Sequence, residues 1–187
     1  MTEATIERYT DVDGAWRWRL VDDDEHVLAD GATAHASAEA LSAHLQRLRE
    51  VATAARVAVV GDACVLVEPS WRATAIDASG GDLARASAVG DRDAARAAAE
   101  RAVAGDATGW TTRRDVEVDL DGAPVIEADP GVALCHRGHD GEWRWTLRVE
   151  GTTVAESGEG YADDATAREQ AERTLRALPA ASSRTWG

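Results

Sequence analysis

A chain of 187 residues with 44% hydrophobic content can bury a core as one domain or as two or three small ones. Its 34 acids stand against 20 basic residues, all of them arginine, and the formal charge of -14 argues against nucleic acid as a partner. No apolar run approaches membrane-spanning length and Met1 to Tyr9 carries no charged-then-apolar leader, so a cytoplasmic protein without membrane contact is expected.

The acidity has a physical consequence. At low salt the carboxylates repel one another and oppose compaction, whereas about 1 M salt shortens the Debye length to ~3 Å and removes most of that penalty. Phe, Lys and Asn are all absent, as a GC-rich genome would produce. Together these features point to a halophile. The two cysteines, Cys64 and Cys135, sit in apolar strand-like runs and read as buried reduced thiols.

Ile6 to Thr10 reads as a short strand, Asp11 to Gly14 as a turn, and Ala15 to Val21 as a second strand in which Trp16, Trp18 and Leu20 alternate with Arg17 and Arg19. The acidic run Asp22 to Glu25 makes a solvated turn into a third strand, Val27 to Asp30. Ser37 then caps a helix reaching about Thr53, with Leu41, Leu45, Leu48 and Ala52 on one face. Val57 to Val60, Gly61-Asp62 and Ala63 to Val67 read as a hairpin, followed by strands at Trp71 to Ile76 and Leu83 to Ser87 and a helix capped by Asp91. A further hairpin is expected from Val116 to Leu120 and Val125 to Ala128. Pro130-Gly131 marks a boundary, after which come strands at Val132 to His136, Trp143 to Leu147 and Val154 to Glu156. Asp163 or Asp164 caps a last helix with Ala167, Ala171, Leu175 and Leu178 on its apolar face, and residues 181–187 read as a loose tail.

Repetition organises this series. Asp140-Gly141-Glu142-Trp143-Arg144-Trp145 near the C-terminus has a near copy in Asp13-Gly-Ala-Trp16-Arg-Trp18, and Ala95-Arg96 with Ala99-Glu100-Arg101 echoes Ala167-Arg168 with Ala171-Glu172-Arg173. The expected fold class is α+β, built from repeated antiparallel β-β-β-α units. Two clear copies lie at residues 1–54 and 130–180, and a diverged copy with extra hairpins at 55–129 keeps Trp71-Arg72 but lacks the second Trp. The Asp140 to Trp145 strand and the Ala155-Glu156-Ser157-Gly158-Glu159-Gly160-Tyr161 turn resemble the YegP-like family, also called DUF1508 or UPF0339. The resemblance implies a meander-plus-helix unit that pairs within a chain or as a dimer. It implies no activity.

Several residues invite a functional reading. Arginines beside aromatic platforms, here Arg17, Arg19 and Arg144, are the chemistry of single-strand nucleic-acid binding. Trp16 and Trp18 share a face with Leu20, however, as Trp143 and Trp145 do with Leu147, which is the pattern of a sheet face beneath a helix. Ser157, Gly158, Glu159 and Gly160 could converge backbone N–H groups on an anion, against which Glu159 stands; the plainer reading is a turn with positive φ at one or both glycines. Cys135, His136 and His139 are metal-ligand types without a second ligand pair at matching spacing, so no metal is assigned. No catalytic set and no cofactor motif stands out. The sequence therefore reads as a non-catalytic binding or assembly module with an unidentified protein partner and room for a homodimer. A nucleic-acid-associated protein using the Trp-Arg-Trp strands and a small enzyme or metal protein using the His136 turn are the alternatives.

Overall fold

The computed structural model describes residues 4–87, 89–112 and 120–186. Within them the order is β1 (Thr5–Thr10), β2 (Trp16–Val21), β3 (Val27–Gly31), α1 (Ala38–Ala52), β4 (Arg56–Val59), β5 (Ala63–Glu68), β6 (Arg72–Asp77), β7 (Asp82–Ala86) and α2 (Arg92–Val103). Then follow β8 (Trp110–Thr112), β9 (Val125–Glu127), β10 (Val132–Arg137), β11 (Trp143–Val149), β12 (Thr152–Glu156), α3 (Asp164–Ala177) and β13 (Ser182–Thr185). The result is a mixed α+β fold with two sheets. One has eight strands in the order β13-β1-β2-β3-β12-β11-β10-β4, and the other has five in the order β8-β7-β6-β5-β9.

Each helix starts where a short polar side chain can accept a free backbone N–H. Ser37 accepts from Ala40, Asp91 from Ala94 and Asp163 from Thr166. The helices then bury small or branched residues. Leu41, Leu45 and Leu48 of α1 and Ala167, Ala171 and Leu175 of α3 press on one face of the large sheet. Because α3 presents mostly alanine, bulk must come from the strands, and Trp18 and Trp145 supply it with 0% exposure. A side chain of that size buries roughly 150–250 Å², which contributes about 4–6 kcal/mol at ~25 cal/mol per Å².

The large sheet is made continuous by β3 and β12, which pair antiparallel with Ala155 opposite Gly31 and Glu156 opposite Asp30. Its opposite face meets the small sheet. Val132 and Leu134 on β10 pack with Cys64 and Leu66 on β5 and Ile76 on β6, while α2 covers the far side of the small sheet through Ala95, Ala99 and Ala102. Four layers result: α1 with α3, the large sheet, the small sheet, and α2. The terminal segments thus share a sheet and a core, and the middle segment stacks on the C-terminal half of that sheet. Among the described residues no helix is long and apolar enough to cross a membrane.

Three features differ from the sequence reading. The expected hairpin at Val57 to Val67 does not form: β4 joins the large sheet parallel to β10, with Val57 opposite Ala133, while β5 enters the small sheet. Gly61-Asp62 is a crossing between layers, not a two-residue turn, and both arms are apolar because both are sandwiched. The segment expected to be a loose tail forms β13, parallel to β1 with Ile6 opposite Ser183. Finally, Val125–Glu127 forms β9, but it pairs parallel with β5; of its expected partner Val116 to Leu120, residues 116–119 lie outside the described residues and Leu120 is buried in the core beneath α2 without forming a strand.

Candidate functional site

The three arginines singled out from the Trp-Arg-Trp strands all lie on the sheet face opposite the helices, and each is held by acids. Arg17 Nε donates to Asp11 Oδ2 at 2.7 Å, and Arg19 Nε to Glu7 Oε2 at 2.6 Å. Arg144 forks onto both oxygens of Asp140 at 2.8 Å and reaches Glu142 at 3.2 Å. The Arg144 hydrogen bonds and the Glu142 backbone N–H hold the Asp140 carboxyl down at about 2. Trp16 and Trp143 pack against the helix-side core that contains Trp18 and Trp145. The indole rings and the guanidinium groups therefore face opposite sides of the sheet, which separates the stacking platform from the phosphate contacts that single-strand binding needs together.

The Ser157 to Gly160 segment is shaped by close approach. A Cβ at Gly158 would lie 2.6 Å from the Val27 carbonyl oxygen, and one at Gly160 would run into the Glu142 carboxylate. The expected positive φ is absent from both, since the positive-φ glycines are elsewhere. The segment is anchored to the sheet at both ends: Ser157 N–H donates to the Trp145 carbonyl at 2.9 Å, and Tyr161, just beyond it, exchanges two hydrogen bonds with Trp143.

Cys135 and His136 are consecutive on β10 and point to opposite faces. The Cys135 thiol lies in the core beneath α3, where burial pushes it up to about 12. The His136 ring lies between the sheets, and His139 is exposed on the following turn. These three groups do not converge.

What the fold does assemble is a polar cluster between the sheets. Arg148 on β11 is 5% exposed and Glu68 on β5 is 3% exposed. Arg148 Nη1 donates to Asp82 Oδ1 at 2.9 Å and Nη2 to the Gly151 carbonyl at 3.2 Å, with Glu68 Oε1 at 3.6 Å. Thr74 Oγ1 donates to Glu68 Oε2 at 2.9 Å. At the other end of the same layer the His136 ring lies against Gly80, where a Cβ would come within 2.7 Å of the imidazole and the backbone has φ of +80°. Glycine is required there twice over. Burial lowers the His136 pKa, with nearby Arg144 adding to the effect and Asp77 opposing it. The arrangement ties layers together, and no nucleophile, base and acid meet in it. Period-two reading missed Arg148, although Val132-Ala-Leu-Cys-His136 is apolar on both faces, which marks a strand covered on both sides.

A second buried acid, Glu7 at 2% exposure, lies on the uncovered half of the large sheet between Arg19 and Arg184. Burial opposes its ionisation, and hydrogen bonds from Arg184 and Arg19 outweigh that and lower its pKa.

No family model matches the chain, and no curated protein matches it. Solved structures similar to it include a UPF0339 protein of Shewanella oneidensis, 4% identical with a TM-score of 0.50, covering 98% of this chain and 91% of that one. Another is YegP of E. coli, a protein of unknown function, 8% identical with a TM-score of 0.49 over 100% of this chain and 97% of that one. The Shewanella likeness concerns the fold alone.

Proposed function

We propose that the protein is a non-catalytic binding module in which three diverged copies of one β-β-β-α unit assemble inside a single chain. The observation that carries this reading is the way the segments use their faces. The terminal segments join edge to edge through β3 and β12, and the middle segment spends the second apolar face of β5 and β6 on β10. The three segments also share local landmarks. The strand ladder slips after Leu20, Ala75 and Leu147, and the helix N-caps are Ser37, Asp91 and Asp163. Such units, at about 40–60 residues, are marginal alone, so docking on one another is how they reach stability.

Internal assembly leaves little apolar surface for another copy. Among the described residues the exposed large hydrophobics are Val12 and Trp186, and neither makes a patch. Two of the less exposed acids are committed to turns: Asp22 accepts the Asp24 and His26 N–H groups, and Asp77 those of Ser79 and Gly81. What remains for recognition is polar. Light scattering across a wide concentration range in molar KCl should give a constant mass near 19.8 kDa. A stable species of twice that mass would mean that assembly between chains, and not binding by one chain, is the working state.

A further inference from the structure

Between α1 and the β1–β13 edge lies a solvent-open groove of about 430 Å³ lined by Arg8, Ser42, Gln46, Arg49, Glu50 and Ser183, with Leu45 as its apolar wall. Arg8 Nη1 reaches Ser42 Oγ at 3.4 Å, and Arg49 Nη2 donates to the Ala181 carbonyl at 2.7 Å and to Ser183 Oγ at 3.1 Å. The Nε–H groups of both arginines are buried without a hydrogen-bond partner, and among the described residues neither guanidinium has a carboxylate within ion-pair distance. Glu50, the one acid of the groove, is engaged by Gln46 Nε2 at 3.4 Å. Among the described residues exposed arginines such as Arg101 and Arg176 also lack an acid partner, but Arg8 and Arg49 are half-buried and lie side by side in one groove.

The corresponding positions in the other two segments sharpen the contrast. Arg8 faces Trp18 across β1 and β2, two residues before the slip in the ladder; at the same place Val67 faces Ala73 and Cys135 faces Trp145. Arg49 stands twelve residues beyond its N-cap, where α2 has Val103 and α3 has Leu175. Val67, Cys135 and Leu175 are buried in their cores, and Val103 packs against its own. Both apolar positions have therefore become arginine in the same segment, and the two arginines come together in one groove. A stability role would be met by the apolar pair used twice elsewhere. Two adjacent guanidinium groups that pair with no carboxylate among the described residues, beside the Ser183 hydroxyl, suit a tetrahedral oxyanion.

We propose that this groove binds the phosphate group of a small phosphomonoester, with Arg8 and Arg49 as the charged clamp and Ser183 as a neutral donor; the Ser42 hydroxyl, which donates to the Ala38 carbonyl at 2.8 Å and accepts from Arg8, positions that guanidinium. The groove is larger than a bare phosphate needs, and Leu45 offers the organic portion an apolar wall. This gives the binding-module reading a site and a ligand class, and it rests on that reading. A failure here would leave the one-chain mass expected above unaffected.

The test is titration of the full chain with inorganic phosphate, phenyl phosphate and acetate at constant ionic strength, followed by backbone amide shifts. Saturable shifts are expected at Ser42, Arg49 and Ser183, tighter for phenyl phosphate than for phosphate and absent for acetate. Arg8→Gln should weaken phenyl phosphate about ten- to a hundredfold, as loss of a charge-assisted contact does. Arg49→Leu should do the same, and Arg49→Lys should retain part of the affinity. Since Arg49 also holds the Ala181 carbonyl, Arg8→Gln decides the matter if Arg49→Leu loosens β13. Absence of saturable phosphate shifts, an unchanged affinity in Arg8→Gln, or acetate binding as tightly as phenyl phosphate would overturn the proposal.

Discussion

Replacing Arg148 with Met tests whether charge between the sheets holds the middle segment in place. Arg148 and Glu68 are both almost fully buried and form an ion pair at 3.6 Å, so removing the cation leaves the Glu68 carboxylate with the Thr74 hydrogen bond but no counter-charge. Breaking a buried pair from one side costs roughly 3–5 kcal/mol, because the stranded charge must be protonated or rehydrated. Asp82 is less exposed to this penalty, since Arg85 also pairs with it. Arg148→Met should therefore lose roughly 3–5 kcal/mol in urea unfolding monitored by tryptophan fluorescence, with the slope on denaturant unchanged. Adding Glu68→Gln removes the stranded charge but keeps a side chain that can meet Thr74, and the double variant should recover a large part of the loss. A single variant that costs less than about 1 kcal/mol, or a double variant no more stable than the single, would refute this account of the interface.

Trp18→Ala and Trp145→Ala should each cost roughly 3–5 kcal/mol, measured by the same unfolding curves, since both side chains are fully buried beneath helices. His44 is held to about 4 by burial, with His35 and Arg47 adding to the effect. Its folded-state pKa lies below the ordinary 6.5, so its contribution is fully present above pH 6.5 and is lost as the pH falls towards 4; imidazole chemical shifts should show it neutral until about pH 4. With a formal charge of -14, thermal unfolding should move to higher temperature between low and molar KCl, and a flat response would remove the electrostatic argument.

Local structure was legible in the sequence wherever one residue's chemistry sufficed. Ser37, Asp91 and Asp163 are short acceptors ahead of apolar helical spacing, and each is an N-cap. Trp18 and Trp145 alternate with arginines, and both are core. What depends on sheet order was not legible. Glu7 meets Arg184 because β13 returns beside β1, a pairing across 177 positions that no window of sequence contains. The expected strand ended at Leu147, one residue short of Arg148, and alternation carries no information on whether the face away from the helices meets water or a second sheet. The same limit hid the groove at Arg8 and Arg49: the two arginines lie on different elements, and only the turn of α1 over β1 brings them together.

The joining of the terminal segments into one sheet is tested most directly by cross-strand contacts between β3 and β12. Nuclear Overhauser spectra of the full chain should show backbone contacts from Asp30 to Glu156 and from Gly31 to Ala155, and the Ala32 amide, which donates to the Val154 carbonyl, should exchange slowly with solvent. Contacts within β1–β2 and β10–β11 with none between Gly31 and Ala155 would contradict the shared sheet.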